Sequence, residues 1–307
     1  MDELAGYKRS WRDECEMSDK LKQQVEAAIA GDQKALEYVV REIQDQVHHL
    51  AMRMLVNPDD ALEATQEILI LVVTKLSTFE GNSAFKTWVY RVAANYLITA
   101  KKIRNKELGL NFEIFKQDVE SGLVPEAKAS SEEKIWLNEL RISCTMAMLL
   151  CLDLKHRLAY VLGDILDLSQ SESAEILGLS TANYRKRLSR ARSEVVAFTS
   201  NNCGIANSSA KCSCPRRLPA ARNLGRIPEK GSGRSPAYAL QDAPDYAEVI
   251  EGVKELEAEL QTVKLQRATP NFTTPKDFAA RLADILDPDI AITPPGPSDN
   301  GGSDLIH

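Results

Sequence analysis

The sequence predicts an all-α protein: two small helical domains joined by a flexible linker, then a partly disordered C-terminal extension carrying one or two helices. Three observations predict it. Apolar residues recur at steps of three and four from Leu21 to Lys106 and again from Ile135 to Phe198. Strand-like alternation is nearly absent throughout. Beyond Phe198 the chain turns rich in Asn, Ser, Pro and Gly until about Ala243.

Each element follows from local chemistry. Val25, Ala28 and Ile29 end a first helix at the Gly31-Asp32 turn. Leu36, Val39, Val40, Ile43, Val47, Leu50, Met54 and Leu55 make the second, which stops at Asn57-Pro58. A third runs from about Asp59 to Leu76, and a fourth from near Ser83 puts Phe85, Trp88, Val89, Val92, Tyr96 and Leu97 on one face. The pattern weakens from Glu107 to Glu133, and GLVPEAKASSEE reads as linker. A second helical unit then leads into LSQSESAEILGLS, where Ser169 and Glu172 have capping-box spacing for a short helix ending at Gly178. Ser180 can cap the next helix, TANYRKRLSRARSEVVAF. Later helices are expected over Tyr246 to Arg267 and Pro275 to Leu286. The implied division is 1–20 tail, 21–106 first domain, 107–133 linker, 134–200 second domain, 201–243 basic cysteine-containing segment, 244–290 helical segment and 291–307 disordered tail.

The formal net charge of −6 over 307 residues conceals a segregation. Between Ser180 and Arg226 stand Arg185, Lys186, Arg187, Arg190, Arg192, Lys211, Arg216, Arg217, Arg222 and Arg226 against a single acid, Glu194, while the last seventy residues are acidic. Local charge decides what each surface attracts. No apolar run approaches the ~20 residues of a membrane helix, and the N-terminus is too charged for a secretory signal, so a cytoplasmic location without membrane insertion is expected. No catalytic constellation emerges. His48-His49 lies on an apolar helix as a surface and a core histidine, His156 stands alone, and no phosphate-cradling loop appears.

Two short helices across a Gly-containing turn, the second basic, make a helix-turn-helix pattern. Its second helix would present Ser180, Thr181, Ala182, Asn183, Arg185 and Lys186 toward base edges, with Arg187, Arg190 and Arg192 as backbone clamps and Tyr184 and Leu188 inside.

The segment ESAEILGLSTANYRKRLSRAR resembles the promoter-reading region four of bacterial sigma factors of the extracytoplasmic-function group, and DDALEATQEILILVVTKLSTFEGNSAFKTWVYRVAANYL resembles that group's region two. The two occur in the expected order over roughly Leu21 to Phe198. The resemblance implies that region two docks on core RNA polymerase and opens the minus-ten element of promoter DNA, and that region four reads the minus-thirty-five element. An anti-sigma protein is a further partner of this class. Asp60, Glu63, Gln66 and Glu67 would share the polymerase-facing side of the third helix. Phe79, Gly81, Asn82 and Ser83 would form the loop that receives a flipped base, and Lys86, Arg91, Asn95, Lys101 and Lys102 would follow the backbone. Trp88 is core by periodicity and beside the opened duplex by family position. Ser173 stands where the family has an apolar residue and Tyr184 where it has a small aliphatic one, a pair that reads as compensating packing changes. A conventional DNA-binding regulator that works without polymerase is the alternative reading.

Cys203, Cys212 and Cys214 supply three thiols just behind the basic helix. No cofactor is required by the function; zinc wants a fourth ligand, from Cys15, Cys144, Cys151 or another molecule, whereas Cu(I) is content with two or three thiolates. Lys211, Arg216 and Arg217 would favour thiolate and extend the cationic surface, while Cys144 and Cys151, seven apart, read as buried filler. Metal or redox sensing, a disulfide from Cys203, and inert thiols all remain open.

Overall fold

A computed structural model describes residues 11–100, 109–125, 133–227 and 243–281, with side chains of the first helix from residue 19 onward. The expected positions Lys101 and Lys102, the side chain of Cys15, and the end of the last expected helix lie outside the described residues. The described residues are helical, with a single isolated bridge between Cys203 and Cys212.

Helix α1 (Trp11–Ile29) turns at Gly31, whose φ of 99° suits glycine. Helix α2 (Gln33–Leu55) starts because Asp32 accepts hydrogen bonds from the Lys34 and Ala35 amides at 2.8 and 3.1 Å. It ends at Val56, a β-branched residue held at φ 63° with its amide bonded to Met52 O. Asn57 then caps α3 (Pro58–Thr74), with Pro58 in the first turn, where a missing N–H costs nothing. A 3-10 turn, Leu76–Thr78, leads through an exposed loop to α4 (Phe85–Thr99).

Within the stretch read as linker, α5 (Phe112–Glu120) forms behind an Asn111 cap. Helix α6 (Lys134–Leu150) and α7 (Leu154–Tyr160, continued by a π-helical turn Val161–Ile165) lead to α8 (Gln170–Ile176) and the long α9 (Thr181–Asn202). The extension adds α10 (Cys214–Asn223), α11 (Tyr246–Val253) and α12 (Ala258–Arg267). The single helix expected over Tyr246 to Arg267 is thus two, parted at Lys254–Glu257. Helix α10 forms despite an internal Pro219, in a run read as flexible.

The two helical units share one apolar core. Ile43, Val47, Leu50 and Met54 of α2 and Leu158, Tyr160, Val161 and Leu162 of α7 and its π turn are fully buried in it, together with Phe272 and Phe278 of the extension. Each such side chain contributes about 1.5–3 kcal/mol, against about 0–1 kcal/mol for a surface ion pair. Apolar burial therefore holds the units together, and the ion pairs set the register.

Arginines satisfy the carbonyls trapped where helices end. Arg157, fully buried, donates to Leu149 O at 2.8 Å, Met54 O at 2.6 Å and Leu152 O at 2.9 Å, binding the C-terminal ends of α2 and α6 to α7. Arg53 donates to Gln266 O at 3.1 Å, and burial lowers its pKa to about 9. Arg141 donates to Ala268 O and Pro244 O. The extension is thereby tied to both units. On α2, Arg41 meets Asp277 at 2.7 Å, and Gln44 and Asp45 accept from the Phe278 and Thr274 amides. On the second unit, Arg267 reaches Asp167 at 2.7 Å and Asp164 O at 2.7 Å.

The two α2 histidines both face inward. Thr65 spends its hydroxyl proton on Ala61 O at 2.6 Å, so its oxygen accepts from His48 Nδ1–H at 3.0 Å, which fixes that tautomer. His49 receives the Phe272 amide at Nδ1 (3.3 Å) and Arg53 Nε at Nε2 (3.4 Å). A neutral imidazole has one acceptor nitrogen, so the ring serves one donor at a time, and a protonated ring serves neither. Burial, then the charges of Arg53 and His48, hold its pKa down from 6.5 to about 3. Because the folded value lies below the unfolded one, the neutral ring's stability contribution is complete above 6.5 and is lost as pH falls toward 3. Urea midpoints should therefore drop between about pH 6.5 and 4.5, and drop less in His49→Gln. Identical pH profiles for the two proteins would contradict this account.

Candidate nucleic-acid interface

Helices α8 and α9 form the basic helix-turn-helix. Ser169 accepts from the Glu172 amide at 3.2 Å, Gly178 takes φ +62°, and Ser180 accepts from the Asn183 amide at 3.3 Å. The capping box closes only halfway, because the Glu172 carboxylate accepts instead from Thr87 Oγ1 on α4 at 3.0 Å. Tyr184 and Leu188 are buried, which turns Ala182, Asn183, Arg185, Lys186 and Arg190 outward; Ser180 is also exposed, and Thr181 and Arg187 are half-buried. Tyr184 Oη donates to Ala159 O at 3.1 Å, and a Cβ at Gly163 would stand 2.4 Å from the Tyr184 hydroxyl oxygen itself. Gly163 and the small, buried Ser173 beside Tyr184 make the room that the large ring needs.

Asn183, Lys186, Arg187 and Arg190 line one side of a groove of about 560 Å³ whose other side carries Lys155 and His156. Cations from two elements flanking one groove suit a phosphate backbone. Sequence reasoning missed Lys155 and left His156 alone. In fact Asp153, the α7 cap, holds the His156 ring at 2.5 Å, a partnership that the Asp-x-x-His spacing could have signalled. Arg185 is oriented by Gln170 at 2.5 Å.

Arg192 departs from the expected role of backbone clamp. Asp164, itself buried, grips it through two bonds of 2.9 and 2.6 Å, and Glu259 of α12 adds a third at 2.8 Å. The hydrogen bond to Asp164 raises its pKa further, so this cation is committed internally. The run after Cys214 does not extend the cationic surface either. Arg217 and Arg226 converge on Asp118 of α5, Arg222 meets Glu133 at 2.9 Å, and Arg216 donates to Val124 O at 2.9 Å. These arginines fasten α5 and the residues after it to α10.

On the first unit, Glu63, Gln66 and Glu67 are exposed on α3 with Asp60 half-exposed, and the exposed Ile70 continues the same face. That arrangement offers an acidic surface with an apolar edge. Phe79, Phe85 and Trp88 pack as a trio with centroids 5.2–5.8 Å apart, so Trp88 is half-buried against the core while still bordering the loop. Gly81 (φ +74°) and Asn82 are exposed and Ser83 half-exposed. Lys86 and Asn95 are exposed on α4, whereas Arg91 is paired with Glu175 of α8 at 2.8 Å. The loop and α4 thus lie beside the helix-turn-helix, joined to it by Arg91–Glu175 and Thr87–Glu172.

Of the cysteines, Cys144 of α6 and Cys212 of the extension pack against one apolar cluster, and Cys203 and Cys214 against another. Burial pushes the Cys212 thiol up to about 11 and those of Cys203, Cys214 and Cys144 upward as well. Neighbouring arginines therefore do not produce the free thiolates expected from sequence; desolvation outweighs them. Among the described residues, no group of three or more His, Cys, Asp or Glu side chains stands ready-made to hold a metal ion. No described helix is long and apolar enough to cross a membrane.

Comparison with known proteins agrees with this geometry. The Sigma-70 region 2 family model matches residues 39–107, which include α3, the loop and α4, and the Sigma-70, region 4 model matches residues 142–195, which include α8 and most of α9. The ECF RNA polymerase sigma factor SigW of Bacillus subtilis is 29% identical over 185 residues, covering 57% of this chain and 95% of that protein. A solved structure, CnrH in complex with the cytosolic domain of CnrY, aligns over 59% of this chain and 96% of that one at 21% identity, with a TM-score of 0.41. The ECF RNA polymerase sigma-E factor of Escherichia coli is 32% identical over 185 residues, 58% of this chain and 95% of its own length, and the chain belongs to the ECF sigma factor family.

Proposed function

We propose that this sigma factor binds core RNA polymerase through the acidic face of α3, captures an unpaired promoter base in the loop from Phe79 to Ser83, and reads the upstream promoter element with the N-terminal half of α9. The observation that carries the reading is a division of labour along one chain. An exposed acidic face, an aromatic-backed loop and a capped cationic helix occupy three separate places, each with the chemistry its target needs. The α3 face suits a basic protein surface, where complementary charge mainly speeds and orients docking. An aromatic trio behind an exposed loop suits a base leaving its stack, since each such stacking contact offsets about 1–3 kcal/mol of the cost.

The extension is the regulatory part of this reading. It ties both units into the arrangement in which Arg91 is held by Glu175, and it occupies Arg192 through Glu259. Its release would free Arg91 for DNA, while Arg192 would keep its two bonds to Asp164, and its cysteines are the place where metal or redox state acts. The chain then works in the cytoplasm beside its polymerase.

Charge reversal tests the docking face. Glu63→Lys with Glu67→Lys should weaken binding to core polymerase by roughly tenfold or more, with helical content and upstream-element binding unchanged. Core binding equal to that of the unaltered chain would refute the assignment of α3.

A further inference from the structure

The residues after α12 cross a polar stripe of α2 that promoter reading does not use. Arg41, Asp45, His49 and Arg53 stand four apart with Gln44 beside them, so they share one face of the helix. His49 Nδ1, Asp45 and Gln44 accept the amides of Phe272, Thr274 and Phe278 at 3.3, 2.8 and 3.0 Å, and Arg41 pairs with Asp277 at 2.7 Å. The Arg53 guanidinium lies 5.2 Å from the centre of the Phe272 ring, which enters the shared core with Phe278. A segment whose main-chain amides meet waiting acceptors and whose two phenyl groups enter apolar sites is held as a docked peptide is.

The upstream end of the same segment grips the second unit. Glu259 pairs with Arg192 at 2.8 Å, and Arg267 with Asp167 and Asp164 O, both at 2.7 Å. Fully buried Gln266 joins the two ends: its carbonyl accepts Arg53 of the first unit at 3.1 Å, and its side-chain nitrogen donates to Thr145 O of the second at 3.4 Å. In the arrangement so held, α4 touches α8 through Arg91–Glu175 and Thr87–Glu172. Helix α4 adjoins one promoter reader, and α8 leads directly into the other. The two promoter elements, by their positions, lie about 25 base pairs apart, roughly 80 Å of duplex. Readers in contact cannot serve both elements at that spacing. An exposed ion pair such as Arg91–Glu175 holds little by itself, so the closed arrangement rests on the buried seam that the segment completes.

We propose that residues 259–278 are a clamp built into the chain, a peptide ligand of the α2 stripe that holds the two promoter readers together and leaves α2 when both elements are engaged. The inference rests on the promoter-reading role given above. The irregular end is the one that lets go, because α12 keeps its own helical bonds and its hold on Arg192 and Asp167.

The test uses the full chain and two paired variants. Asp45→Lys with Asp277→Lys removes the acceptor of the Thr274 amide and sets like charges against Arg41 on exposed positions, leaving the core intact. Phe272→Ala with Phe278→Ala empties the apolar sites. In both, the Phe272, Thr274 and Phe278 amides should exchange hydrogen about tenfold faster or more, and X-ray scattering should show a larger radius of gyration at unchanged helical content. Run-off transcription per chain should rise severalfold. In the unaltered chain the same amides should lose protection once core polymerase and promoter DNA are bound. The proposal is overturned by unchanged exchange and radius in the charge variant, by opened variants that transcribe no better than the unaltered chain, or by amides that stay protected in the promoter complex. If no form transcribes, the promoter-reading role fails instead, and exchange and radius alone decide whether the clamp exists.

Discussion

Arg185→Ala combined with Lys186→Ala should lower promoter-directed transcription by roughly ten- to a hundredfold, equivalent to about 1–3 kcal/mol of recognition energy. Both side chains are exposed on the first turns of a helix whose opposite side is anchored by Tyr184 and Leu188. Arg185 is already oriented by Gln170, so little side-chain freedom remains to be lost on binding. The fold should be untouched, and so should core binding, because α3 is a separate surface. Arg192→Ala should behave differently. Its guanidinium is held by Asp164 and Glu259, so its loss would loosen the seam with α12 and would not abolish promoter recognition. Equal losses from the two changes, measured by run-off transcription, would contradict the assignment of roles.

Arg157→Met should lower folding stability by about 3–5 kcal/mol, the cost of breaking a buried charged network without replacing its donors. Methionine keeps the stem but leaves the carbonyls of Met54, Leu149 and Leu152 without the guanidinium. Arg157→Lys should recover only part, since an ammonium cannot reproduce the planar fork. A urea denaturation series measures this directly, and a loss below about 1 kcal/mol would show that other donors satisfy those carbonyls.

The parts of the structure legible in the sequence are those fixed by neighbours in the chain. Helices α2, α3, α4 and α9 follow from three–four periodicity and from the caps Asp32, Asn57 and Ser180, whose side chains and targets lie within three residues. What escaped depends on partners far apart. Whether an arginine faces DNA or an internal carboxylate is not written in its own neighbourhood: Asp118 with Arg217 and Arg226, and Asp164 with Arg192, are long-range pairs. The same holds for Cys144, whose spacing from Cys151 suggests filler, while the fold packs it against the same apolar cluster as Cys212 of the extension. Helix α10 was masked by its two prolines, and α5 by the low apolar content around it. Ser173 and Tyr184 read as a compensating pair, but the residue that makes room for the ring, Gly163, contributes only through space.

The central claim is that this chain directs core polymerase to promoters. Its most direct test is run-off transcription by purified core polymerase on a pool of promoter fragments, with and without the full chain. The account predicts discrete transcripts that require the chain and disappear with the Arg185→Ala, Lys186→Ala pair. No chain-dependent transcript, together with no complex between the chain and core polymerase, would contradict it.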